Sequence, residues 1–327
     1  MKKAFLNLLY KTGSFAPFHR FNRNRILILT YHRFSETETP FTVSRSQFAA
    51  HLAYLTKYRT IFSFAEISER LRNGEKLPEN AAIITIDDGY RDAYEIAFPL
   101  LKEFRVSATL FAITDFLDGK IWVWTDKMRF VAARMKAEKS TIEIGNERVE
   151  LENRMLDRIF LSGSKANSFL KKLPDAEKDR EIKRIARELK VEMPDAPPDA
   201  NAPLSWVQAR EMNESVVNIE SHTVTHPILT CVGENQLNFE LKKSKQKLEE
   251  TLQKEIKVFC YPSGALDENV CRAVEQNDYE CAVTTRYGFN AESANPFLLS
   301  RIDAQPDVIH FAQSASGFED FRQNFRK

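Results

Sequence analysis

Seven short apolar runs recur along the chain, and segments with helical periodicity separate most of them. Each run has the length of a strand, and most are apolar at nearly every position, as in strands buried on both faces of a sheet. Strands that alternate with helices predict a parallel sheet, either a barrel or a long open sheet. The runs are RILILTY (25–31), AAIITI (81–86), SATLFAI (107–113), VVNIE (216–220), KVFCY (257–261), ECAVTT (280–285) and PFLLSRI (296–302).

Composition and missing motifs exclude several classes of protein. The 327 residues include 47 basic and 46 acidic side chains, so the net charge is +1 and no basic surplus for nucleic acid exists. No GxGxxG follows the first run, and no GxxxxGK precedes Ser or Thr, so the usual nucleotide-binding interpretations lack support. The four cysteines form no CxxC pair, which favours buried thiols over disulfides or a cysteine zinc site.

The first 24 residues form a basic segment in which Phe5, Leu8 and Leu9 could share one helical face. Two hypotheses follow: peripheral membrane association through this N-terminal helix, or docking of the helix on its own domain. No apolar run reaches the roughly 18 residues of a membrane span, and the short apolar core lacks a signal cleavage site. We therefore expect a cytoplasmic protein or one at the inner face of the membrane. The sequence indicates no oligomeric state.

Residues from about 117 to 205 interrupt the alternation. This stretch is charged, predicts mainly helices, and ends in the proline-rich PDAPPDANAP (194–203), which is typical of a stiff linker. We interpret it as an insertion in a single domain that covers residues 25–327. Trp122 and Trp124 within it either stack on a sugar or, as we favour, pack inside the insertion.

Polar residues follow several of the runs at the point where each predicted strand ends. Asp87 and Asp88 directly follow AAIITI, and His222 and His226 follow VVNIE with a spacing of four, so a helical turn would place both imidazoles on one face. Each motif alone is also compatible with a solvated turn or a chance pair. The carboxyl ends of parallel strands meet at one edge of the sheet. The two motifs together therefore predict a metal site that uses one carboxylate and leaves the other free.

At these residues the sequence resembles the polysaccharide deacetylases, a family of carbohydrate esterases. The resemblance rests on LTYHRF, TIDDGY, SHTVTH, YPSG and LLSRID, and it covers roughly residues 25–115 and 204–325. It implies a distorted (β/α)7 barrel, one divalent metal, often zinc, and removal of N- or O-acetyl groups from an acetylated glycan. By position it implies that Asp87 is the catalytic base and that Asp88, His222 and His226 are the metal ligands.

The implied chemistry is physically consistent. A metal bound by two histidines and a carboxylate polarises the acetyl carbonyl and lowers the pKa of its water, and Asp87 takes a proton from that water. The developing oxyanion needs donors, for which we predict the metal and a backbone N–H of the turn that contains Ser263 and Gly264. We expect Gly264 to let the backbone approach the substrate closely, and Tyr90 to line the cleft.

Three departures from the family pattern are visible. Cys260 occupies the position where the family often has an Arg that tethers the catalytic Asp, and Arg301 is our candidate substitute. Ser263 stands where an aromatic residue is common, which removes a sugar-stacking group. For the general acid we consider His310, in a segment that reads as a helix, and His32, for which a structural role is the alternative.

The leading hypothesis is a metal-dependent hydrolase that removes acetyl groups, N-acetyl groups in particular, from a poly- or oligosaccharide. A metal-free glycoside hydrolase using Asp87 and Asp88 is disfavoured, because adjacent residues rarely place carboxyls about 5 Å or more apart across a sugar. A catalytically silent glycan-binding protein of the same fold is the other alternative. Exopolysaccharide, lipid-linked sugar and cell-wall glycan all fit as substrates.

Overall fold

The protein folds into a closed barrel of seven parallel strands surrounded by helices. The computed structural model describes residues 2–137, 139–145, 147–152 and 165–324. All seven apolar runs supply a barrel strand, which confirms the predicted (β/α)7 barrel. The strands are β1 (Leu27–Tyr31), β2 (Phe34–Ser35), β3 (Val43–Ser44), β4 (Thr60–Ile61), β5 (Ala81–Ile86), β6 (Ala108–Ala112), β7 (Lys139–Ile144), β8 (Glu147–Glu152), β9 (Val217–Ser221), β10 (Val258–Cys260), β11 (Cys281–Tyr287) and β12 (Leu299–Asp303).

The barrel strands follow the order β1, β12, β11, β10, β9, β6 and β5, and the pairing of β5 with β1 closes the ring. The short strand β4 extends the edge of β5 at its beginning, where Thr60 pairs with Ala81. β2 and β3 form a separate small sheet, and β7 and β8 form a hairpin. Because every barrel pair is parallel, the carboxyl ends of all seven strands surround one opening.

Helices connect the strands and cover the outside of the barrel. Several begin at capping boxes, as at Ser44 and Ser205, whose side chains each accept a free amide of the first turn. The α-helices are α1 (Lys2–Lys11), α2 (Ala16–Phe21), α3 (Arg45–Tyr58), α4 (Phe64–Asn73), α5 (Phe98–Phe104), α6 (Thr114–Leu117), α7 (Trp124–Arg134), α8 (Lys165–Lys172), α9 (Asp175–Glu188), α10 (Trp206–Asn213), α11 (Glu234–Leu252), α12 (Glu268–Gln276), α13 (Val308–Ser316) and α14 (Phe318–Asn324).

The alternation of side chains along the strands separates two apolar layers. On β5, Ala82, Ile84 and Ile86 pack against the surrounding helices, while Ala81 and Ile83 belong to a second cluster with β10, β11 and β12. Helix α4 contributes to that second cluster through residues such as Phe64. Side chains at odd-numbered positions of β5 therefore point into the barrel along the whole strand, including its carboxyl end.

The chain leaves the barrel after β6 and returns at β9, and the excursion has its own apolar core. Trp122, Met128 and Ile182 are among its buried members. It contains α7, α8 and α9 but also the antiparallel hairpin β7–β8, in which Ile142 pairs with Val149. The prediction of mainly helices for this stretch did not include the hairpin. Charged residues alternate with its apolar ones, and the high charge of the flanking sequence is typical of exposed helices.

The N-terminal helices pack against the barrel rather than standing free. Leu6, Leu9 and Tyr10 of α1 contact the main core, while Phe5 and Leu8 are 57% and 59% exposed. The prediction that Phe5, Leu8 and Leu9 share one face is therefore wrong for Leu9, which lies on the side of α1 that packs against the core. Within the described part of the chain, no helix combines the length and apolarity required to cross a membrane.

Candidate metal centre

A cleft of about 570 Å³ opens at the carboxyl ends of the barrel strands. Its lining includes the residues that follow β1, β5, β9 and β10, so side chains far apart in sequence meet there. This size falls in the range of roughly 300–1,000 Å³ typical of small-molecule sites. The predicted site residues in its wall are His32, Asp87, Asp88, Tyr90, His222, His226, Ser263 and Arg301.

Asp87 and Arg301 form a buried ion pair at the floor of the cleft. Asp87 continues the inward parity of β5, and Arg301 shares the inward parity of Leu299 on β12. The two terminal nitrogens of Arg301 donate to the two carboxylate oxygens of Asp87, each over 2.8 Å. The same guanidinium donates to the Thr284 carbonyl and to Thr85 Oγ1, which fixes its plane.

This pair keeps the Asp87 carboxylate ionised. Burial alone would raise the pKa of Asp87, but the charge and hydrogen bonds of Arg301 hold it below the ordinary value of 3.8. Cys260 occupies the space beside them, with its Sγ 3.6 Å from Asp87 Oδ2 and 3.2 Å from Arg301 Nη2. Burial raises the pKa of the Cys260 thiol well above its usual range, so it stays protonated and can donate to Asp87.

Asp88, His222 and His226 converge on the other side of the cleft. His222 Nε2 lies 3.6 Å and His226 Nε2 lies 3.8 Å from Asp88 Oδ1, and the two imidazole centroids are 4.8 Å apart. Their ligand atoms all lie within 4.8 Å of one another, which is the spacing expected around a single ion. Carboxylate and imidazole donors suit zinc and other divalent transition metals.

The protonation of the two histidines fits a cation between these residues. His222 Nδ1 lies 2.7 Å from the Cys260 carbonyl oxygen, which only accepts, so Nδ1 carries the proton and Nε2 presents a lone pair to Asp88. Burial lowers the pKa of His222, and it lowers that of His226 well below 6.5, so both rings are neutral at pH 7. Burial also raises the pKa of Asp88, whose charge therefore lacks compensation unless a cation is bound.

Unusual backbone geometry brings the three groups together. Asp88, Thr223 and His226 have φ values of +75°, +71° and +63°, in the left-handed region that non-glycine residues rarely occupy. The histidines therefore meet in an irregular loop and not in the helical turn that would also place both imidazoles on one face. Thr223 Oγ1 accepts the His226 amide at 2.9 Å.

Glu240 of α11 supports this loop from below. The Val224 and Thr225 amides donate to one of its oxygens over 2.7 and 2.9 Å, and Thr225 Oγ1 donates to the other over 2.8 Å. Glu240 itself is completely buried. A carboxylate that accepts three such bonds fixes a loop firmly, and the sequence offered no sign of this role.

The two histidines considered as general acid lie in different surroundings. His32 Nε2 is 3.7 Å from Asp87 Oδ2, and its side chain is 51% exposed at the rim of the cleft. His310 lies on α13, as the sequence suggested, where its Nδ1 is 2.8 Å from Asp307 Oδ1. His310 is absent from the cleft lining, so of these two candidates His32 is the one that lies near Asp87.

The turn after β10 differs in part from its predicted role. Ser263 lines the cleft, but Gly264 does not, and the Gly264 amide donates to the Tyr261 carbonyl within the turn. Gly264 has φ +66°, and a Cβ there would overlap the Thr285 side chain. Glycine is therefore needed for packing against β11, while its close approach to a substrate stays a prediction.

Tyr90 lines the cleft as predicted, within a polar network that the sequence did not reveal. Its hydroxyl donates to Asp126 Oδ2 over 2.6 Å, and the Arg33 guanidinium lies 4.1 Å from its ring centroid. Arg33 also donates to Asp92 over 2.7 Å. Arg33 follows the first strand, and that position could have indicated a role in the cleft. Asp126 lies on α7, outside every recognised motif, so no sequence signal pointed to it.

Comparison with known proteins identifies the family. The family model for polysaccharide deacetylase matches residues 74–282, and the chain therefore belongs to the polysaccharide deacetylase family. YxkH of Bacillus subtilis (strain 168), provisionally named a polysaccharide deacetylase, is 23% identical over 286 residues, which cover 87% of this chain and 73% of that protein.

Two further matches differ in what they cover. A poly-β-1,6-N-acetyl-D-glucosamine N-deacetylase of Staphylococcus aureus (strain MSSA476) is 28% identical over 110 residues, or 29% of this chain and 38% of that protein. The structure of the Streptococcus pyogenes deacetylase PplD in complex with acetate superposes with a TM-score of 0.59 at 19% identity. That match covers 91% of this chain and 98% of PplD, so it supports the fold across nearly the whole molecule.

Proposed function

We propose that this protein is a metal-dependent deacetylase that removes N-acetyl groups from a polysaccharide containing N-acetylglucosamine. The observation that carries the proposal is the pairing of two carboxylates in different environments. Asp87 is bound to Arg301, while Asp88 faces two neutral imidazoles. Adjacent acids with such different partners can take different roles, one as a base and one as a ligand.

Asp88, His222 and His226 would hold one divalent metal ion, and zinc is the ion that this donor set favours. When bound there, such an ion supplies Lewis acidity toward an acetyl carbonyl and a water ligand of lowered pKa. Asp87 and His32 line the same cleft as these three residues.

Asp87 would accept a proton from the attacking water. Its two oxygens are fixed by Arg301, so the carboxylate keeps one orientation and stays ionised at neutral pH. Arg301 thus acts as a positioning residue in place of the family Arg at the position of Cys260. This substitution weighs against the silent glycan-binding alternative, because the base retains its tether.

His32 would donate a proton to the leaving amine. Its Nε2 lies 3.7 Å from Asp87 Oδ2, and its side chain is exposed at the rim of the cleft. The amide nitrogen must gain a proton before the amine leaves, and an exposed imidazole at the rim suits that step.

One relative supports a proposal for the substrate class. The S. aureus relative is named for poly-β-1,6-N-acetyl-D-glucosamine, although only 38% of it is covered. We therefore propose an exopolysaccharide of this type ahead of a cell-wall glycan. The N-terminal helix, with Phe5 and Leu8 exposed, would allow the protein to lie against a membrane surface.

Acetate release tests the proposal directly. The zinc-loaded protein is incubated with β-1,6-linked N-acetylglucosamine pentamer, with chitopentaose, and with an O-acetylated xylan, and acetate is quantified. We expect release from the N-acetylated pentamers and its loss in Asp87→Asn. Tight zinc binding without acetate release from any of the three would reject the enzyme and favour the glycan-binding alternative.

A further inference from the structure

A second cavity of about 450 Å³ lies beside the metal centre, between the barrel and the excursion after β6. It shares Val123 and His226 with the catalytic cleft, so the two spaces adjoin. Nothing in the chemistry proposed above uses it. Its other walls come from the loop before α7, from helix α9 and from residues 193–197, and they include Trp122, Trp124, Ala176 and Asp195.

Direct contacts hold the walls of this cavity in place. Thr225, in the loop that carries the histidines, has its Oγ1 only 3.1 Å from Oδ2 of Asp175 on α9. The ammonium of Lys178 donates to the same carboxylate over 3.0 Å. Lys127 of α7 pairs with Asp179 of α9. The cavity is thus built between elements that are tied to one another and to the histidine loop.

The chemistry of the lining suits a neutral, hydroxyl-rich ligand. Four lysines face three aspartates, and most of these charges are already paired, as in Lys183 with Asp179 at 3.0 Å. Paired ions offer both donors and acceptors without attracting a net charge, which matches sugar hydroxyls. The half-buried indole of Trp124 adds apolar surface for the C–H face of a pyranose ring.

We propose that this cavity is a second saccharide subsite, which binds the sugar unit next to the one whose acetyl group lies in the catalytic cleft. The inference rests on the proposed function and deepens it: the enzyme recognises a polymer rather than a single sugar. Binding energy from this neighbouring unit would favour longer chains, because remote contacts position the reacting group. The excursion after β6 therefore determines which chain lengths are accepted.

Filling the cavity tests the subsite. Ala176 is exposed on the first turn of α9 and lines the cavity, so Ala176→Trp adds volume without removing a contact. The control is Arg180→Trp on the same helix, where the side chain is 76% exposed and outside the lining. Each zinc-loaded variant is assayed with the β-1,6-linked pentamer and with a small aryl acetate that occupies only the cleft.

We expect Ala176→Trp to lower kcat/KM for the pentamer by roughly tenfold or more and to leave the aryl acetate within about twofold. Arg180→Trp should change neither value. A pentamer kcat/KM equal to that of the control, or an equal fall for both substrates, would overturn the subsite.

Binding separates this inference from the proposed function. Pentamer is titrated calorimetrically into zinc-loaded Asp87→Asn, alone and combined with Ala176→Trp or Arg180→Trp. Weaker binding only with Ala176→Trp supports the subsite even if the wild-type protein releases no acetate. Equal binding in all three overturns it, whereas absence of acetate release from every substrate overturns only the enzymatic proposal.

Discussion

Arg301 binds both oxygens of Asp87, with each hydrogen bond 2.8 Å long, across the interior of the barrel. The two residues come from β12 and from the end of β5, which are not neighbours in the sheet. The contact stands in for the tethering Arg that the family often has at the position of Cys260, and it lowers the pKa of the proposed base. Strands β5 and β12 both pair with β1, one on each side. The proposed function therefore depends on the closure of the barrel at β1.

The first prediction concerns this ion pair. In Arg301→Lys the charge remains, but the bidentate hydrogen bonds are lost, so the pKa of Asp87 rises because the effect of burial is offset less fully. Since Asp87 acts when ionised, the acid limb of the kcat/KM profile should move to higher pH, and kcat at pH 7.5 should fall about 10- to 100-fold. Arg286→Lys, at an exposed position of β11, is the control. An unchanged acid limb would remove Arg301 from its positioning role.

The second prediction separates ligand from base. Asp88→Ala and His222→Ala should lose the divalent metal, because each removes one of only three protein donors. Asp87→Asn should retain it while turnover falls about 10²- to 10⁴-fold. Metal content after dialysis is measured by mass spectrometry, with His310→Ala as a histidine control outside the cleft. Stoichiometric metal in Asp88→Ala would contradict the assignment.

The third prediction addresses the support of the histidine loop. Glu240→Ala leaves the Val224 and Thr225 amides without their acceptor, and we expect the free energy of unfolding to fall by about 3 kcal/mol. Metal affinity should fall about 10- to 100-fold, because the loop then holds the histidines less firmly. Urea unfolding and metal titration measure the two effects. Gln236→Ala, which removes one bond to Glu240, should change little by comparison.

The fourth prediction concerns stability in acid. Burial lowers the pKa of His19 to about 3 and that of His51 to about 4, from 6.5 in both cases. The unfolded chain therefore binds more protons than the folded protein below pH 6.5, and stability falls as pH falls from about 6.5 toward 4. Each histidine contributes up to roughly 1.4 kcal/mol per pH unit in that window.

Urea unfolding at pH 7, 6 and 5 measures this dependence. His51→Gln retains hydrogen-bonding capacity toward Tyr31 and the Pro306 carbonyl without titrating, so its slope against pH should be shallower than that of the wild type. A constant free energy of unfolding between pH 7 and pH 5 in the wild type would show that burial does not suppress protonation of these rings.

The sequence predicted strands and the polar groups at their ends better than the loops between them. Once both runs are predicted as strands, alternate side chains point to opposite faces, so Asp87 shares the side of Ile83 and Arg301 that of Leu299. The approach of Asp87 and Arg301 was therefore within reach of sequence reasoning. The histidine loop was not, because Thr223 and His226 adopt positive φ without being glycine. Tertiary contacts such as those of Glu240 impose that geometry, and no local pattern encodes them.

Gly264 and the hairpin β7–β8 illustrate the same limit. A glycine beside a site suggests contact with a ligand, yet here the constraint comes from Thr285 on the neighbouring strand. The hairpin lies in a charged stretch whose apolar residues serve a small local core rather than the barrel. In both cases the deciding neighbour is distant in sequence, so composition and periodicity could not reveal it.

The strands β6 and β9 pair directly along five residues, from Ala108 with Val217 to Ala112 with Ser221, although about a hundred residues separate them in the chain. The barrel therefore closes as though the intervening stretch were absent. During evolution such a stretch can be exchanged, lengthened or reshaped while the reacting groups keep their positions. In this architecture, the proposed preference for a polymer and the proposed cleavage of an amide are separable traits, each open to selection on its own.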